Sequence, residues 1–179
     1  MPGVDPVVLV PVKAFADAKA RLSSVLSPQQ RDALARWTAE RVLAAAGERA
    51  VYVACDDEGV AEWVEGVEDV GGGVETADTA RGLGLADDGF ALLGGFAGPL
   101  AGLHRGLSEA AHPLVVTAPC DSPFLPLDLV AQLKAALEAN SAELAVAKTG
   151  NQPQPVFSLC RKSVLPSLTA FLESGGRKI

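Results

Sequence analysis

Asp121 stands in Pro119-Cys120-Asp121-Ser122-Pro123, directly after a short apolar run. A carboxylate held there between two prolines suits Mg²⁺, which takes one or two carboxylates and fills its other positions with water and substrate phosphates. In phosphoryl-type transfer such an ion offsets phosphate charge and orients the attack. The plain structural alternative is a turn that Asp121 caps together with Ser122 and Pro123. Far upstream, Lys13, Lys19 and Arg21 form a basic stretch. Arg grips phosphate bidentately and Lys adds a mobile point charge, so these three are candidate triphosphate ligands, and Lys19 and Arg21, with Asp121, are candidate catalytic groups. Without a ligand they would be a solvated basic loop. A third candidate is Gly98-Pro99-Leu100-Ala101-Gly102, where small residues at a helix start let backbone N–H groups approach a nucleotide. Its alternative is close packing of that helix on a sheet. No Gly-x-x-x-x-Gly-Lys-Ser/Thr loop is present, and Gly82-x-Gly84 is too poor a signal to use. Cys120 and Cys160 read as small apolar core residues. His104 reads as a surface helix residue, and Trp37 and Trp63 as core or half-buried residues.

These groups need a scaffold, and the hydrophobic pattern describes one. Val7–Val12, Ala50–Ala54 and Pro113–Ala118 are short, continuously apolar runs of the kind that form buried strands. Glu143–Ala147 and Pro155–Leu159 read as two more strands, with Lys148 to Gln154 as the loop between them. Ser27-Pro28-Gln29-Gln30 carries a capping residue, a proline at the first helical position and a capping-box glutamine. The helix it opens continues through Leu34, Trp37, Val42 and Ala45, and Gly47 stops it. Asp56-Asp57 caps a short helix through Val64. Further helices run from Pro99 to Ala111, from Pro126 to Asn140 and between Lys162 and Ser174. Gly66 to Gly95 is rich in Gly and acid, with at most a short strand near Val74. The alternation implies right-handed crossovers and a mostly parallel sheet covered on both faces, a three-layer αβα arrangement over a single domain, 1–179. In such sheets ligands bind beyond the carboxyl ends of the strands. Lys13, Lys19, Arg21, Asp56, Asp57, Asp121 and the Lys148–Gln154 loop all fall at those ends.

Composition narrows the classes. With 49% apolar residues the chain is not of the disordered type, and with only 5% aromatics its core must be built from Ala, Val and Leu. The formal net charge of −7 argues against general affinity for nucleic acid or anionic membrane. No apolar run is long enough to span a bilayer. Met1-Pro2-Gly3-Val4-Asp5 has no basic region, so no signal peptide is expected. Three widely spaced cysteines, Cys55, Cys120 and Cys160, suit a reducing, cytoplasmic setting, and two histidines without Cys-x-x-Cys do not suggest zinc. The oligomeric state has no signal in the sequence.

The C-terminal half resembles the molybdenum cofactor guanylyltransferases (MobA). The matching segments are Gly95-Phe96-Ala97-Gly98-Pro99-Leu100-Ala101-Gly102-Leu103, Pro119-Cys120-Asp121-Ser122-Pro123-Phe124-Leu125-Pro126, Gln152-Pro153-Gln154-Pro155-Val156-Phe157 and Ser174-Gly175-Gly176-Arg177-Lys178-Ile179. They cover roughly 87–179. The part up to about Gly84 is instead similar to the 2-phospholactate/phosphoenolpyruvate guanylyltransferases (CofC). That similarity rests on Val10-Pro11-Val12-Lys13, Ala18-Lys19-Ala20-Arg21-Leu22, Leu26-Ser27-Pro28 and Cys55-Asp56-Asp57. The chain thus reads as a composite with a seam in Gly66–Gly95.

Both resemblances imply a GT-A-like, Rossmann-like nucleotidyltransferase fold, GTP as donor and Mg²⁺. They imply transfer of GMP to a phosphorylated acceptor with release of pyrophosphate. They assign Asp121 to Mg²⁺ and GTP, Asp87 or Asp88 to GTP, and Gln152–Pro155 to the acceptor side. The expected acceptor is molybdopterin, and a 2-phospholactate-like acid is the alternative. Two departures from the molybdenum cofactor enzymes stand out. Those open with Leu-Ala-Gly-Gly and an Arg-Met-Gly segment leading to a lysine, where this chain has Pro-Val-Lys, leaving Lys13, Lys19 and Arg21 to grip the triphosphate. They also continue past the Gly-Gly-Arg-Lys-Ile segment to a further strand and an Asn-Thr-Pro motif, so the chain is expected to be C-terminally short. The contrasting functional expectation is a nucleotide-binding or inert α/β domain without catalysis.

Overall fold

The computed structural model describes residues 5–55, 57–67 and 99–176. Asp56, the Val74 strand, Asp87, Asp88, Gly98 and the proposed seam lie outside the described residues. A five-stranded sheet forms the centre. Its strands are β1 (Val7–Pro11), β2 (Val51–Ala54), β3 (Leu114–Thr117), β4 (Leu144–Thr149) and β5 (Gln152–Arg161), in spatial order β2-β1-β3-β5-β4. Around it lie α1 (Pro28–Ala45), α2 (Glu58–Glu65), α3 (Pro99–Glu109), α4 (Leu129–Ala139) and α5 (Leu165–Glu173). β1 pairs in parallel with both β2 and β3. β5 runs antiparallel to β3 and to β4, so four of the five strands point one way and β5 alone is reversed.

The layers follow from alternation along β1. Val8 and Val10 face the side covered by α1 and α2, packing with Val42, Leu43, Val53, Val60 and Val64. Val7 and Leu9 face the other side, with Leu103 and Leu107 of α3 and the partly buried Leu165, Leu168 and Leu172 of α5. A third cluster joins Leu114, Val116 and Leu159 to Val130, Leu133 and Leu137 of α4. The expected three-layer αβα arrangement is therefore the one found, with a core of small aliphatic residues. Among the described residues no helix is long and apolar enough to cross a membrane.

Local signals act where they were expected. Ser27 accepts a hydrogen bond from the Gln30 N–H at 3.2 Å, and the Gln30 side chain accepts one from the Ser27 N–H at 2.9 Å. This reciprocal box, with Pro28 behind it, opens α1. Asp57 caps α2 by accepting from the Val60 N–H at 3.0 Å. α4 begins at Leu129 rather than Pro126, because the Pro126 carbonyl is spent on a turn with the Leu129 N–H.

The β4–β5 connection differs from the expected loop. Lys148 and Thr149 continue β4, Gln152 and Pro153 already belong to β5, and only Gly150 and Asn151 turn. Gly150 has φ +59°, which a glycine adopts without steric cost. The ladder then breaks: Val146 pairs with Ser158, but the next residue, Ala147, pairs with Gln154. Pro155, Val156 and Phe157 are the extra residues of a bulge in β5, a place where a strand tolerates proline. The Thr117 hydroxyl, buried in β3, holds this bulge. It donates to the Val156 carbonyl at 3.1 Å and lies 3.0 Å from the Ser158 hydroxyl.

Candidate active site

β1, β2, β3 and β4 all end at one rim of the sheet, and the basic loop after β1 and the Asp121 turn after β3 begin there. Val12, just past β1, is still sheet-bound, its N–H donating to the Ala54 carbonyl at 2.8 Å. Lys13 follows it into solvent. The chain then makes two short 3-10 turns, Phe15–Asp17 and Ala20–Leu22, with Lys19 between them. Arg21 is exposed in the second turn. Ala18 and Cys120 pack against the same core cluster, which brings this loop across to the end of β3.

Asp121 is exposed, and its turn closes without it. The Ser122 N–H donates to the Pro119 carbonyl at 3.3 Å, leaving the carboxylate uncommitted to any cap among the described residues. Cys120 registers both neighbours. Its thiol pKa is raised, first by burial and then by the Asp121 carboxylate, while the Lys19 ammonium opposes the rise. Lys19 and Asp121, which are far apart in sequence, thus both act electrostatically on one thiol. Cys120 is only partly buried, unlike Cys160, whose burial pushes its thiol to about 11.

The Pro99–Gly102 start of α3 divides its roles. Leu100 is buried among Val7, Leu9 and Leu103, so its side chain packs the core. Among the described residues Gly102 has no atom within 4 Å of where a Cβ would stand, whereas one turn on, a Cβ at Gly106 would lie 2.3 Å from Leu9 Cδ2. The close helix-to-sheet approach therefore belongs to Gly106, and Gly102 meets no described neighbour. The side chains of Pro99 and Ala101, like Asp88 and Gly98, lie outside what is described. α3 ends just before β3 begins, so its N-terminus returns to the rim where β3 ends.

His104 is not a plain surface residue. It is partly buried between α3 and α5, with Nε2 2.8 Å from the Thr169 hydroxyl. That hydroxyl donates to the Leu165 carbonyl, so it accepts from the imidazole N–H. Burial, then Arg105, lower its pKa, against a raising effect of Glu173.

Sequence reasoning missed a groove beside Asp121. It encloses about 790 Å³ between the 122–126 loop, α4 and the β4–β5 hairpin. Phe124, Leu129 and Phe157 supply apolar wall, and Ser122, Lys148 and Gln154 supply polar groups. The β5 bulge creates one wall. Phe124, which lines it, and nearby Leu127 are each 85% exposed. The visible signal was the run of prolines: Pro119, Pro123 and Pro126 on one side, Pro153 and Pro155 on the other.

Among the described residues no three His, Cys, Asp or Glu side chains gather to hold a metal. Asp57 is spent on its helix cap. An ion at this rim would take Asp121 from the chain and the rest of its shell from water and a bound phosphate. That donor set fits Mg²⁺ rather than Zn²⁺ or Ca²⁺.

Comparison with known proteins places the chain in a family. Over 89 residues the chain is 58% identical to a molybdenum cofactor guanylyltransferase of Cupriavidus taiwanensis, covering 47% of this chain and 45% of that protein. It is 50% identical over 98 residues to the one from Shewanella sp. (strain ANA-3), covering 52% and 50%. The chain thus spans about half the length of the curated relatives it matches. A solved structure of molybdopterin-guanine dinucleotide biosynthesis protein A from Archaeoglobus fulgidus superposes with a TM-score of 0.62 at 20% identity, covering 96% of this chain and 75% of that one. A CMP:2-keto-3-deoxy-manno-octonic acid synthetase superposes with a TM-score of 0.56 at 14% identity, covering 93% and 78%. At those identities the superpositions speak for the nucleotidyltransferase fold alone. The model of the MobA-like NTP transferase domain matches residues 24–179, and the chain belongs to that family.

Proposed function

We propose that this domain transfers a guanylyl group from GTP to the phosphate of molybdopterin and releases pyrophosphate. One arrangement carries the proposal: the Lys13–Arg21 loop and Asp121 stand at the same strand ends, beside a largely apolar groove. The relatives named as molybdenum cofactor guanylyltransferases support the donor and acceptor.

In this proposal a phosphate oxygen of the acceptor attacks the α-phosphorus of GTP. A new P–O bond forms as the bond from the α-phosphorus to the bridging oxygen breaks, and pyrophosphate leaves with the electron pair. The attacking oxygen is already ionised, so no general base is needed, and catalysis rests on positioning and electrostatics. Lys13, Lys19 and Arg21 hold the triphosphate and the charge that builds on the departing pyrophosphate. Asp121 holds Mg²⁺, which when bound screens the phosphates and polarises them toward attack. Gly102, at the start of α3, lets the backbone there approach the nucleotide. The groove takes the acceptor's flat heterocycle between Phe124, Leu129 and Phe157, with Gln154 and Lys148 at its polar edge. A 2-phospholactate-like acid would leave most of those apolar walls unused. The reaction belongs in the cytoplasm, where GTP is supplied.

Calorimetric titration with GTP, with and without Mg²⁺ and with ATP and CTP as controls, tests the donor site. Pyrophosphate release on adding molybdopterin, or 2-phospholactate in a parallel reaction, tests the acceptor. Mg²⁺-dependent preference for GTP and release with molybdopterin are expected. Absence of binding to any nucleotide refutes the proposal and leaves a domain with the family's fold but without its chemistry.

A further inference from the structure

Lys19 holds φ 54° and ψ 31°, a left-handed conformation in which lysine is rare. Such a residue persists only where its surroundings over-determine it, and such residues gather at functional sites. On its C-terminal side, the Lys19 carbonyl accepts from the Leu22 N–H at 2.8 Å. On its N-terminal side, helix α1 grips the loop twice. Arg31 Nη1 donates to the Ala18 carbonyl at 3.4 Å. Four residues before Lys19, the buried ring of Phe15 meets Trp63 edge to face at 5.0 Å. The Arg36 guanidinium lies 4.4 Å over that ring and is itself tied to Asp32 at 2.8 Å.

Arg31 is costly where it stands. Its Nε is buried with no hydrogen-bond partner among the described residues, and its charge lies in the first turns of α1, where the helix dipole disfavours cations. A fully solvated arginine at this position would bear only the second cost. The contact it does make is with the peptide that sets the Lys19 backbone.

We propose that Arg31 is a positioning residue: by holding the Ala18 carbonyl it locks Lys19 in its left-handed conformation. The inference rests on the assignment of Lys19 to the triphosphate, and on that site it adds the group that sets the lysine's geometry. Neither spacing nor residue type marks Arg31 in the sequence, since it looks like any polar position on an amphipathic helix.

Limited trypsin digestion tests the lock without using activity. In Arg31→Met, cleavage after Lys19 should speed about two- to tenfold, the effect of losing one long hydrogen bond of ordinary strength. Cleavage at other sites and the thermal midpoint should hold, and Arg31→Lys should recover part of the protection. GTP affinity then supplies a double-mutant cycle. Arg31→Met should weaken GTP binding in the wild type and have little further effect in a Lys19→Ala background. Unchanged cleavage after Lys19, or cleavage rising in step at every site, overturns the proposal. So does an equal loss of affinity in both backgrounds. If Arg31→Met does not fold, Arg31→Lys carries the same comparison. If the wild type binds no GTP, the guanylyltransferase proposal falls, and digestion alone decides whether Arg31 locks the loop.

Discussion

Replacing Lys19 by glycine and by alanine separates backbone strain from charge. A non-glycine residue in the left-handed region costs about 1–2 kcal/mol, and Lys19 sits there with φ 54°. Glycine removes that cost but makes the unfolded chain freer, which takes back about 0.4–1 kcal/mol. Lys19→Gly should therefore fold with unchanged or slightly higher stability, by up to about 1.5 kcal/mol at the favourable extremes of those ranges. Lys19→Ala keeps the strain, so it should be the less stable of the two. Both lose the ammonium whose charge reaches the Cys120 thiol. Since a hydrogen bond to a charged group is worth about 1.5–3 kcal/mol, GTP affinity should fall at least about tenfold in each. Urea melts give the first quantity and calorimetry with GTP and Mg²⁺ the second. The reasoning is refuted on the backbone side if Lys19→Ala is the more stable variant, and on the ligand side if either variant binds GTP as tightly as the wild type.

Three further perturbations follow from the geometry. Gly106→Ala drives a methyl to 2.3 Å from Leu9 Cδ2 in the packed centre of β1, so overpacking should cost about 1–3 kcal/mol, partly offset by about 1 kcal/mol of helix propensity. Gly102→Ala, with no such neighbour, should be neutral or stabilising in the same urea melts, and equal effects at both glycines would contradict the packing described for α3. Ser27→Ala removes one half of the capping box and should lower stability by about 1 kcal/mol by denaturant melt, whereas an unchanged midpoint would mean that Pro28 alone starts α1. The Cys120 thiol, its pKa raised by burial and by Asp121, should alkylate at pH 8 more slowly than an ordinary exposed thiol, since less of it is thiolate. Asp121→Asn removes one raising influence and should speed that alkylation, so an unchanged rate would separate Asp121 from the thiol.

What the sequence determined by itself is what depends on neighbours a few residues apart. The capping box at Ser27 and Gln30, the Asp57 cap and the apolar runs of β1, β2 and β3 need only local chemistry, and each stands where its residues predict. The layered αβα arrangement follows from their alternation, because each buried strand must be covered on both faces. What only the tertiary structure decided involves residues far apart in the chain. The bulge of β5 is held by Thr117 meeting Val156 and Ser158, about forty positions away, and no period in the sequence marks that contact. Gly106 rather than Gly102 is the close-packed glycine because α3 crosses Leu9 at that turn. His104 pairs with Thr169 because α5 folds back over α3. Lys19 is left-handed because helix α1 and the second 3-10 turn hold the peptides on either side of it, and local propensity alone would have avoided that conformation. The candidate residues could thus be named from their types, but their meeting at one rim, beside a groove cut by a strand bulge, is a property of how distant segments pack.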